Sequence, residues 1–176
     1  GAIYDSRVAG WTSTVFNCTF VSNTTVNYGG AICGNSASYP LMVSCAFATN
    51  SGGSGRHNSY WVKYSNCTYS AAFNTSTDLG GNVYTANDVS WIDLNLANNG
   101  GPTRTHALPT NSVAIDKGSN PAGLSNDQRG SGYARVVGVA ADCGSYEFGA
   151  TANQAPVVEA GNNQKITLPV SNAVMA

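Results

Sequence analysis

Charged side chains are scarce in this 176-residue chain: eight Lys and Arg stand against nine Asp and Glu, and the net charge is −1. A surface that binds nucleic acid or another polyanion normally carries a clear excess of positive charge. We therefore expect no nucleic-acid partner. The charges are also uneven, because residues 1–100 hold seven of them and the remaining 76 residues hold ten.

Long apolar runs and common catalytic motifs are also absent. No run approaches the roughly 18 apolar residues of a transmembrane helix, so no membrane span is expected, and no signal peptide is recognisable. With two histidines, His57 and His106, and no Cys-x-x-Cys pair, no zinc site is predicted. The Gly- and Ser-rich run at 52–58 lacks phosphate-loop spacing, and no Gly-x-Ser-x-Gly motif occurs. Nucleotide binding and serine-hydrolase chemistry are therefore not expected.

The sequence does contain a short repeat. Gly-Ala-Ile-Tyr opens the chain at 1–4, and Gly-Ala-Ile-Cys returns at 30–33. Phe-x-x-Asn at 20–23 returns at 47–50, 27 residues later. A unit of this length cannot bury its apolar side alone, so it stacks on its neighbours. With 42% hydrophobic and 10% charged residues, the pattern favours a folded β-solenoid over a disordered chain.

Three five-residue segments align on their cysteines: 16–20, 43–47 and 65–69. Apolar or small residues occupy the first, third and fifth positions, which is the period-two pattern of a short strand with one face inward. Stacking at about 4.8 Å per coil predicts two internal columns: Cys18, Cys45 and Cys67 in one, and Phe20, Phe47 and Tyr69 in the other. The five cysteines are interpreted as small buried residues, with a disulfide involving Cys33 as the open alternative.

Other positions of the repeat predict turns and one irregularity. Asn23 and Asn50 follow the aromatic position by three residues, where an amide side chain can bond backbone groups of a turn. Lys63 takes the place of Thr14 and Leu41 in the third unit. We therefore expect a bulge or an irregular turn there.

The repeat motifs and a later motif resemble two families of bacterial surface proteins. Phe-x-x-Asn with Gly-Gly-Ala-Ile is similar to the repeats of polymorphic outer-membrane proteins, which implies a right-handed parallel β-helix. Residues 99–108 (Asn-Gly-Gly-Pro-Thr-Arg-Thr-His-Ala-Leu) resemble the Asn-Gly-Gly-Pro-Thr-x-Thr-x-x-Leu signature of choice-of-anchor Q domains.

The second resemblance continues along the chain through 112–118, 127–130, Arg135 and 142–147. It departs from the family at Val113, where Pro is usual, and at Cys143, where Ile is common. The two resemblances together cover about residues 1–149. They imply a secreted or cell-surface location in a bacterium.

The predicted fold class is all-β. Residues 1–98 form the coils of a parallel β-helix, and 99–149 cap its C-terminal end, because an open end exposes unpaired strand edges. Residues 153–169 resemble the opening of a polycystic-kidney-disease-type (PKD) domain, an immunoglobulin-like sandwich. We therefore interpret 150–176 as a linker and the truncated first strands of such a domain, which must lean on the solenoid or on a neighbouring chain.

The segment expected to form the cap concentrates charge. Its predicted structural ion-pair network consists of Asp116, Asp127, Arg129, Arg135, Asp142 and Glu147. The alternative is a calcium site or an active site built from Asp116, Asp127 and Asp142, but the mixture of signs favours ion pairs. No cofactor is predicted, with calcium as the alternative. Arg104 and His106 are interpreted as residues that orient their loop rather than as a substrate-facing pair.

Two functions from different classes remain. The first is a non-catalytic surface module (an adhesin, stalk or structural repeat) whose partners are glycans or another surface protein. The second is a polysaccharide lyase or glycoside hydrolase, which rests on fold analogy alone. Four acids lie in the coils, with no pair at equivalent positions of adjacent coils: Asp5, Asp78, Asp88 and Asp93. Arg56 and Lys63 lack the carboxylate cluster of a lyase, so the non-catalytic module is favoured and enzyme activity stays open.

Aromatic residues are the candidates for glycan contact, since a flat ring can stack on a sugar, although each taken singly is more typical of packing. The candidates are Trp11, Tyr28, Tyr39, Tyr60, Trp61 and Trp91. Finally, strand edges exposed at residues 1–4 predict end-to-end association of copies.

Overall fold

The computed structural model describes residues 1–6, 10, 12–37, 39–53, 58–71 and 76–152. Within these ranges there is no helix, and the regular structure consists of thirteen short strands. The strands are β1 (Ile3–Tyr4), β2 (Thr14–Phe16), β3 (Thr19–Val21), β4 (Thr24–Thr25), β5 (Ile32–Cys33), β6 (Leu41–Val43), β7 (Ala46–Ala48), β8 (Ser51–Gly52), β9 (Ser59–Tyr60), β10 (Lys63–Ser65), β11 (Thr68–Tyr69), β12 (Thr77–Asp78) and β13 (Val83–Tyr84). The predicted PKD-like segment at 153–169, Trp11, Arg56 and His57 lie outside the described residues.

The strands pair between coils rather than along the chain. Sheet 1 has the order β1-β5-β9, sheet 2 β2-β6-β10-β12, sheet 3 β3-β7-β11-β13 and sheet 4 β4-β8, and every pairing is parallel. Successive coils therefore lie on one another: β1–β4 form the first coil, β5–β8 the second, β9–β11 the third and β12–β13 the fourth. This arrangement confirms the prediction of an all-β, parallel β-helix-like fold.

The interior is filled by side chains that repeat from coil to coil. Phe20 pairs with Phe47, and Phe47 with Tyr69, in the register of sheet 3. The Phe20 and Phe47 rings stack with their centroids 5.0 Å apart and their planes 8° apart. Cys45 and Cys67 are fully buried in the same cluster, and the Cys45 amide lies 3.4 Å from Sγ of Cys67. Cys18 packs against this cluster and is half-buried.

Each five-residue segment predicted as one strand is in fact two strands joined by a corner. Asn17, Ser44 and Asn66 have positive φ angles of 47°, 56° and 49°, which is left-handed backbone that a strand cannot contain. The corner shifts the alternation of inward-facing and outward-facing side chains by one residue. The side chains that face the core before it belong to Val15, Met42 and Tyr64. The predicted inward position of Phe16, Val43 and Ser65 is therefore wrong.

The two asparagines of the repeat bond the turn that follows sheet 3, as predicted. Asn50 is buried, and its Nδ2 donates to the carbonyl oxygen of Phe20 at 2.9 Å. Its Oδ1 accepts hydrogen bonds from the backbone amide and from Nδ2 of Asn23, both at 3.0 Å. The side chain of Asn50 thus ties the first coil to the second.

The expected bulge at Lys63 is wrong. Thr14, Leu41, Lys63 and Thr77 pair in turn within sheet 2, in continuous parallel register. Lys63 is exposed, because its position points away from the core. A long charged side chain is tolerated there without any disturbance of the ladder.

Residues 89–150, called the flank here, pack along a side of the coils, and closure of the C-terminal end of the solenoid by 99–149 stays a prediction. They lie against the outward face of sheet 3 and bond three successive coils. Nδ2 of Asn17 donates to the Ser119 carbonyl at 2.9 Å, the Gly144 amide donates to the Ser44 carbonyl at 2.8 Å, and Sγ of Cys143 donates to the Asn66 carbonyl at 2.9 Å. The outward row of sheet 3 carries small side chains, among them Thr19, Ala46 and Thr68, so the flank can approach it closely.

That outer face carries small residues. Ala46 and Ala48 are fully buried in a second core cluster whose other buried members come from the flank: Trp91, Ile92, Leu108, Ala114 and Cys143. Gly144 is the point of closest approach, since a Cβ on it would lie 2.6 Å from Oγ1 of Thr19 and 2.9 Å from Cβ of Ala46. Trp91 and Ile92 therefore pack together with later residues of the flank, which covers a side of the coils. The boundary at residue 99 stays a prediction.

Gly144→Ala should loosen the flank. Its φ of +99° strains any L side chain, and the new methyl group also collides with sheet 3. Gly80→Ala is the matched control, because Gly80 has φ +95° and open space around it. The backbone strain is therefore similar in the two variants. We expect the free energy of unfolding to fall by about 1–3 kcal/mol more in Gly144→Ala than in Gly80→Ala. Urea denaturation measures both values, and an equal loss of unfolding free energy in the two variants would contradict the packing of the flank against sheet 3.

Candidate functional site

The six residues of the predicted ion-pair network, called the charged cluster here, lie together in the flank. They form two ion pairs: Nη2 of Arg129 lies 2.7 Å from Oδ2 of Asp127, and Nη2 of Arg135 lies 3.1 Å from Oε2 of Glu147. All four side chains are almost completely buried. Charges so removed from water persist only where partners replace the lost hydration.

Arg135 holds the part of the flank that contacts the coils. Its side chain is 1% exposed, and besides Glu147 it donates to two backbone carbonyls. Nη1 donates to Gly144 at 3.1 Å and Nη2 donates to Asp142 at 2.8 Å. Since the Gly144 amide donates to the Ser44 carbonyl at 2.8 Å, this arginine positions one contact between the flank and the solenoid.

Arg129 is enclosed by aromatic rings. Its guanidinium carbon lies 4.2 Å from the ring centre of Tyr133 and 4.0 Å from that of Tyr146. Nε and Nη2 reach both carboxylate oxygens of Asp127, and Nη2 also donates to the Glu147 carbonyl at 2.7 Å. Such a sandwich stabilises a buried guanidinium and leaves it no room for a ligand.

The carboxylates of the cluster accept hydrogen bonds from backbone amides. Oδ1 and Oδ2 of Asp142 accept from Asp116 at 2.8 Å and from Phe148 at 2.6 Å. Oε1 and Oε2 of Glu147 accept from Val137 at 2.7 Å and from Asp142 at 2.9 Å. A carboxylate used in this way fixes the path of an irregular loop segment, as secondary structure does elsewhere.

Asp116 and Asp127 have the same use. Oδ1 of Asp116 accepts from the amides of Val139 and Ala140, both at 3.0 Å. Oδ2 of Asp127 accepts from the Glu147 amide at 2.8 Å. Within the described ranges, no group of three or more His, Cys, Asp and Glu side chains has a geometry that could hold a metal ion. The arrangement therefore suits stabilisation of the flank's loop segments. The absence of a cofactor stays a prediction.

Burial changes the acidity of two members of the cluster. It raises the pKa of the Glu147 carboxyl from 4.5 to about 7, although the amides of Asp142 and Val137 and the charge of Arg135 act in the opposite direction. Burial likewise raises the pKa of Asp142. The folded state therefore binds a proton at Glu147 at pH values where the unfolded chain does not.

The acids of the coils and the following loop act as turn residues. Oδ1 of Asp78, Asp88 and Asp93 each accepts the backbone amide two residues later, at 2.7, 2.8 and 2.9 Å. Asp5 is buried beside β1. His106 approaches the Asp93 carbonyl at 2.9 Å through Nδ1.

The neighbouring Arg104 is exposed, and its carbonyl lies 3.4 Å from Nε2 of Gln128. The His106 ring and the Arg104 backbone thus contact neighbouring loop segments, and the loop-orienting role of both residues stays a prediction.

The aromatic candidates separate into two groups. Trp91 is 2% exposed, and its Nε1 donates to the Asp88 carbonyl at 3.0 Å, so it serves packing. Tyr28, Tyr60 and Trp61 meet at the outside of sheet 1: the Tyr28 and Tyr60 rings stack at 4.8 Å, and the Tyr60 and Trp61 rings lie 4.4 Å apart. Tyr39 is half-buried.

Sequence reasoning missed Tyr4, which is 70% exposed. Tyr4 pairs with Cys33, and Cys33 with Tyr60, in the outward row of sheet 1, behind the inward row of Ile3 and Ile32. The repeat could have predicted the outward position of Tyr4, because residues 4 and 33 both follow Gly-Ala-Ile and must lie on the same face of the sheet. A cavity of about 280 Å³ opens here. This cavity, the aromatic groove, is lined by Gly1, Ile3, Tyr4, Thr25, Asn27, Tyr28, Gly29 and Cys33.

Comparisons with known proteins give no relative. No family model, curated protein or solved structure matches the chain. The resemblance to polymorphic outer-membrane proteins, choice-of-anchor Q domains and a PKD-type domain therefore stays a prediction. Within the described ranges, no helix has the length and apolar character that crossing a bilayer requires.

The raised pKa of Glu147 predicts a pH dependence of stability. Because its folded value is about 7 and its usual value is 4.5, the free energy of unfolding should fall as pH rises through this window, by on the order of 1–3 kcal/mol. Glu147→Gln should make this slope clearly smaller, and any remainder comes from the raised pKa of Asp142. Glu159→Gln, at the other glutamate of the chain, should keep the full slope. Urea unfolding at pH 5 and pH 7 measures both, and an undiminished slope in Glu147→Gln would refute the assignment.

Proposed function

We propose that this chain is a non-catalytic module of an extracellular bacterial surface, an adhesin, stalk or structural repeat that contacts glycans. The observation that carries the proposal is how the acidic side chains are used. The carboxylates of the charged cluster bond backbone amides and buried arginines. Those of Asp78, Asp88 and Asp93 bond the turns in which they stand.

A glycosidase needs two carboxyl groups that flank a scissile bond, about 5–10 Å apart and free to exchange protons with the substrate. Acids already bonded to the protein's own amides are poorly suited to this work. The same residues are well suited to bracing a stack of coils. This use of charge favours a structural or binding role over catalysis.

The sequence resemblance supports the location and organisation. Repeats similar to those of polymorphic outer-membrane proteins, followed by a PKD-like opening at 153–169, are typical of secreted or surface-anchored bacterial chains. A polar surface rich in Asn, Ser and Thr also suits contact with glycans, whose hydroxyl groups need donors and acceptors rather than charge.

A panel of neutral and acidic polysaccharides tests the proposal, with calcium and with a chelator. Retention of the protein on a polymer without any shortening of the polymer is the expected result, because the acids of the described ranges bond the protein's own groups. Cleavage would overturn the proposal and direct attention to Asp116, Asp127 and Asp142. A variant with Asp88→Asn, which alters only an exposed turn acid, is the control for general charge effects.

Self-association is a second part of the proposal. In a polypeptide of residues 1–176, strands β1, β2, β3 and β4 each stand at the end of their sheet, so their outer edges are positioned to pair with another copy of that polypeptide. We expect end-to-end oligomers whose size grows with protein concentration in sedimentation velocity. Val15→Lys, which places a charge at this end of the core, should reduce them. A strictly monomeric wild type would refute this part.

A further inference from the structure

We propose that the aromatic groove on sheet 1 is a binding site for neutral glycans, in which a sugar ring enters between Tyr4 and Tyr28 above Cys33. The inference rests on the proposed function and names the site and the ligand class.

The floor of the groove follows from the register of the coils. Tyr4, Cys33 and Tyr60 occupy the same outward position in β1, β5 and β9. Tyr4 and Tyr60 are therefore two strand spacings apart, roughly 9.6 Å. The small side chain of Cys33 lies between them, and the cavity of about 280 Å³ is lined by Tyr4, Cys33 and the Tyr28 ring that stacks on Tyr60. This volume lies near the lower end of the range for ligand sites.

One wall of the groove is held in place by stacking. Tyr28 is 46% exposed, and its ring stacks on Tyr60 at 4.8 Å with an interplanar angle of 19°. Tyr60 is in turn in contact with Trp61, at 4.4 Å between ring centres. A ring supported on one side loses little freedom when a ligand covers it, so binding carries a smaller entropic cost.

The chemistry of the lining points to an uncharged ligand. The side chains around the groove belong to Tyr, Ile, Thr, Asn and Cys, and none carries a formal charge at neutral pH. The amino group of Gly1 is turned to the Thr24 carbonyl, at 3.3 Å. Thr25 and Asn27 supply hydroxyl and amide groups at the rim. Rings that cover the apolar faces of a sugar, with neutral hydrogen-bonding groups beside them, are complementary to a neutral saccharide.

The test uses affinity electrophoresis of the full chain through gels that contain soluble neutral polymers of glucose, mannose or galactose, or an acidic polyuronate. Tyr28→Ala removes a wall. Cys33→Phe instead fills the groove and leaves every aromatic residue in place. Tyr84→Ala is the matched control, because Tyr84 is 51% exposed and stacks on Tyr69 at 5.3 Å, far along the coils from the groove. Thermal unfolding of each variant checks that the fold is kept.

We expect retention of the wild type on a neutral polymer, and roughly tenfold weaker binding in both Tyr28→Ala and Cys33→Phe, as loss of one stacking surface implies. Tyr84→Ala should bind as the wild type does. Retention that survives both groove variants would overturn the site and leave the proposed function standing. Retention on the polyuronate alone would overturn the neutral ligand class. Cleavage of a polymer would instead overturn the proposed function itself.

Discussion

The left-handed corner that recurs at Asn17, Ser44 and Asn66 is the constraint on which the rest of the structure depends. A single residue with positive φ ends one strand and starts the next in a new direction, so each coil turns from sheet 2 to sheet 3 at the same point. Because the corner repeats in register, the strands on both sides of it can pair with their equivalents above and below. Asn tolerates this conformation better than most residues, since its short amide can bond nearby backbone.

The corner also decides what the flank must do. In the strands that follow the corner, Phe20 and Phe47 face inward, and Ala46 and Ala48 lie on the opposite, outward face of sheet 3. A flat row of small side chains gives a close approach to another backbone, and Gly144 makes that approach. The flank has no sheet of its own among the described residues, so its backbone amides need other partners. The buried carboxylates and arginines provide them, which explains why charge gathers in a part of the chain with so little regular structure.

Much of the solenoid could be predicted from the sequence, because its signals are local and repeated. Cysteine alignment placed Phe20, Phe47 and Tyr69 in one column, and Asn50 at a turn, since equivalent residues in stacked coils must share an environment. Phe16 was misplaced because period-two counting assumes an unbroken strand, and the left-handed Asn17 breaks it. The position of the flank was out of reach for a different reason. A segment of loops has no period, and its place depends on a surface that exists only after the coils have stacked.

The candidate binding surface illustrates how a repeat fold separates stability from function. Inward positions are restrained by their neighbours in the column, because a substitution at Phe47 alters the packing of the Phe20 ring that stacks on it. The outward positions of sheet 1 do not form a column of equivalent side chains, and Tyr4, Cys33 and Tyr60 differ in size at the same place of the repeat. The small Cys33 beside the large Tyr4, with Tyr28 on the other side, makes a groove while the strands stay in register. A solenoid of this kind can therefore acquire a binding site by substitution on its outer face, while the corners and columns that hold its coils together stay as they are.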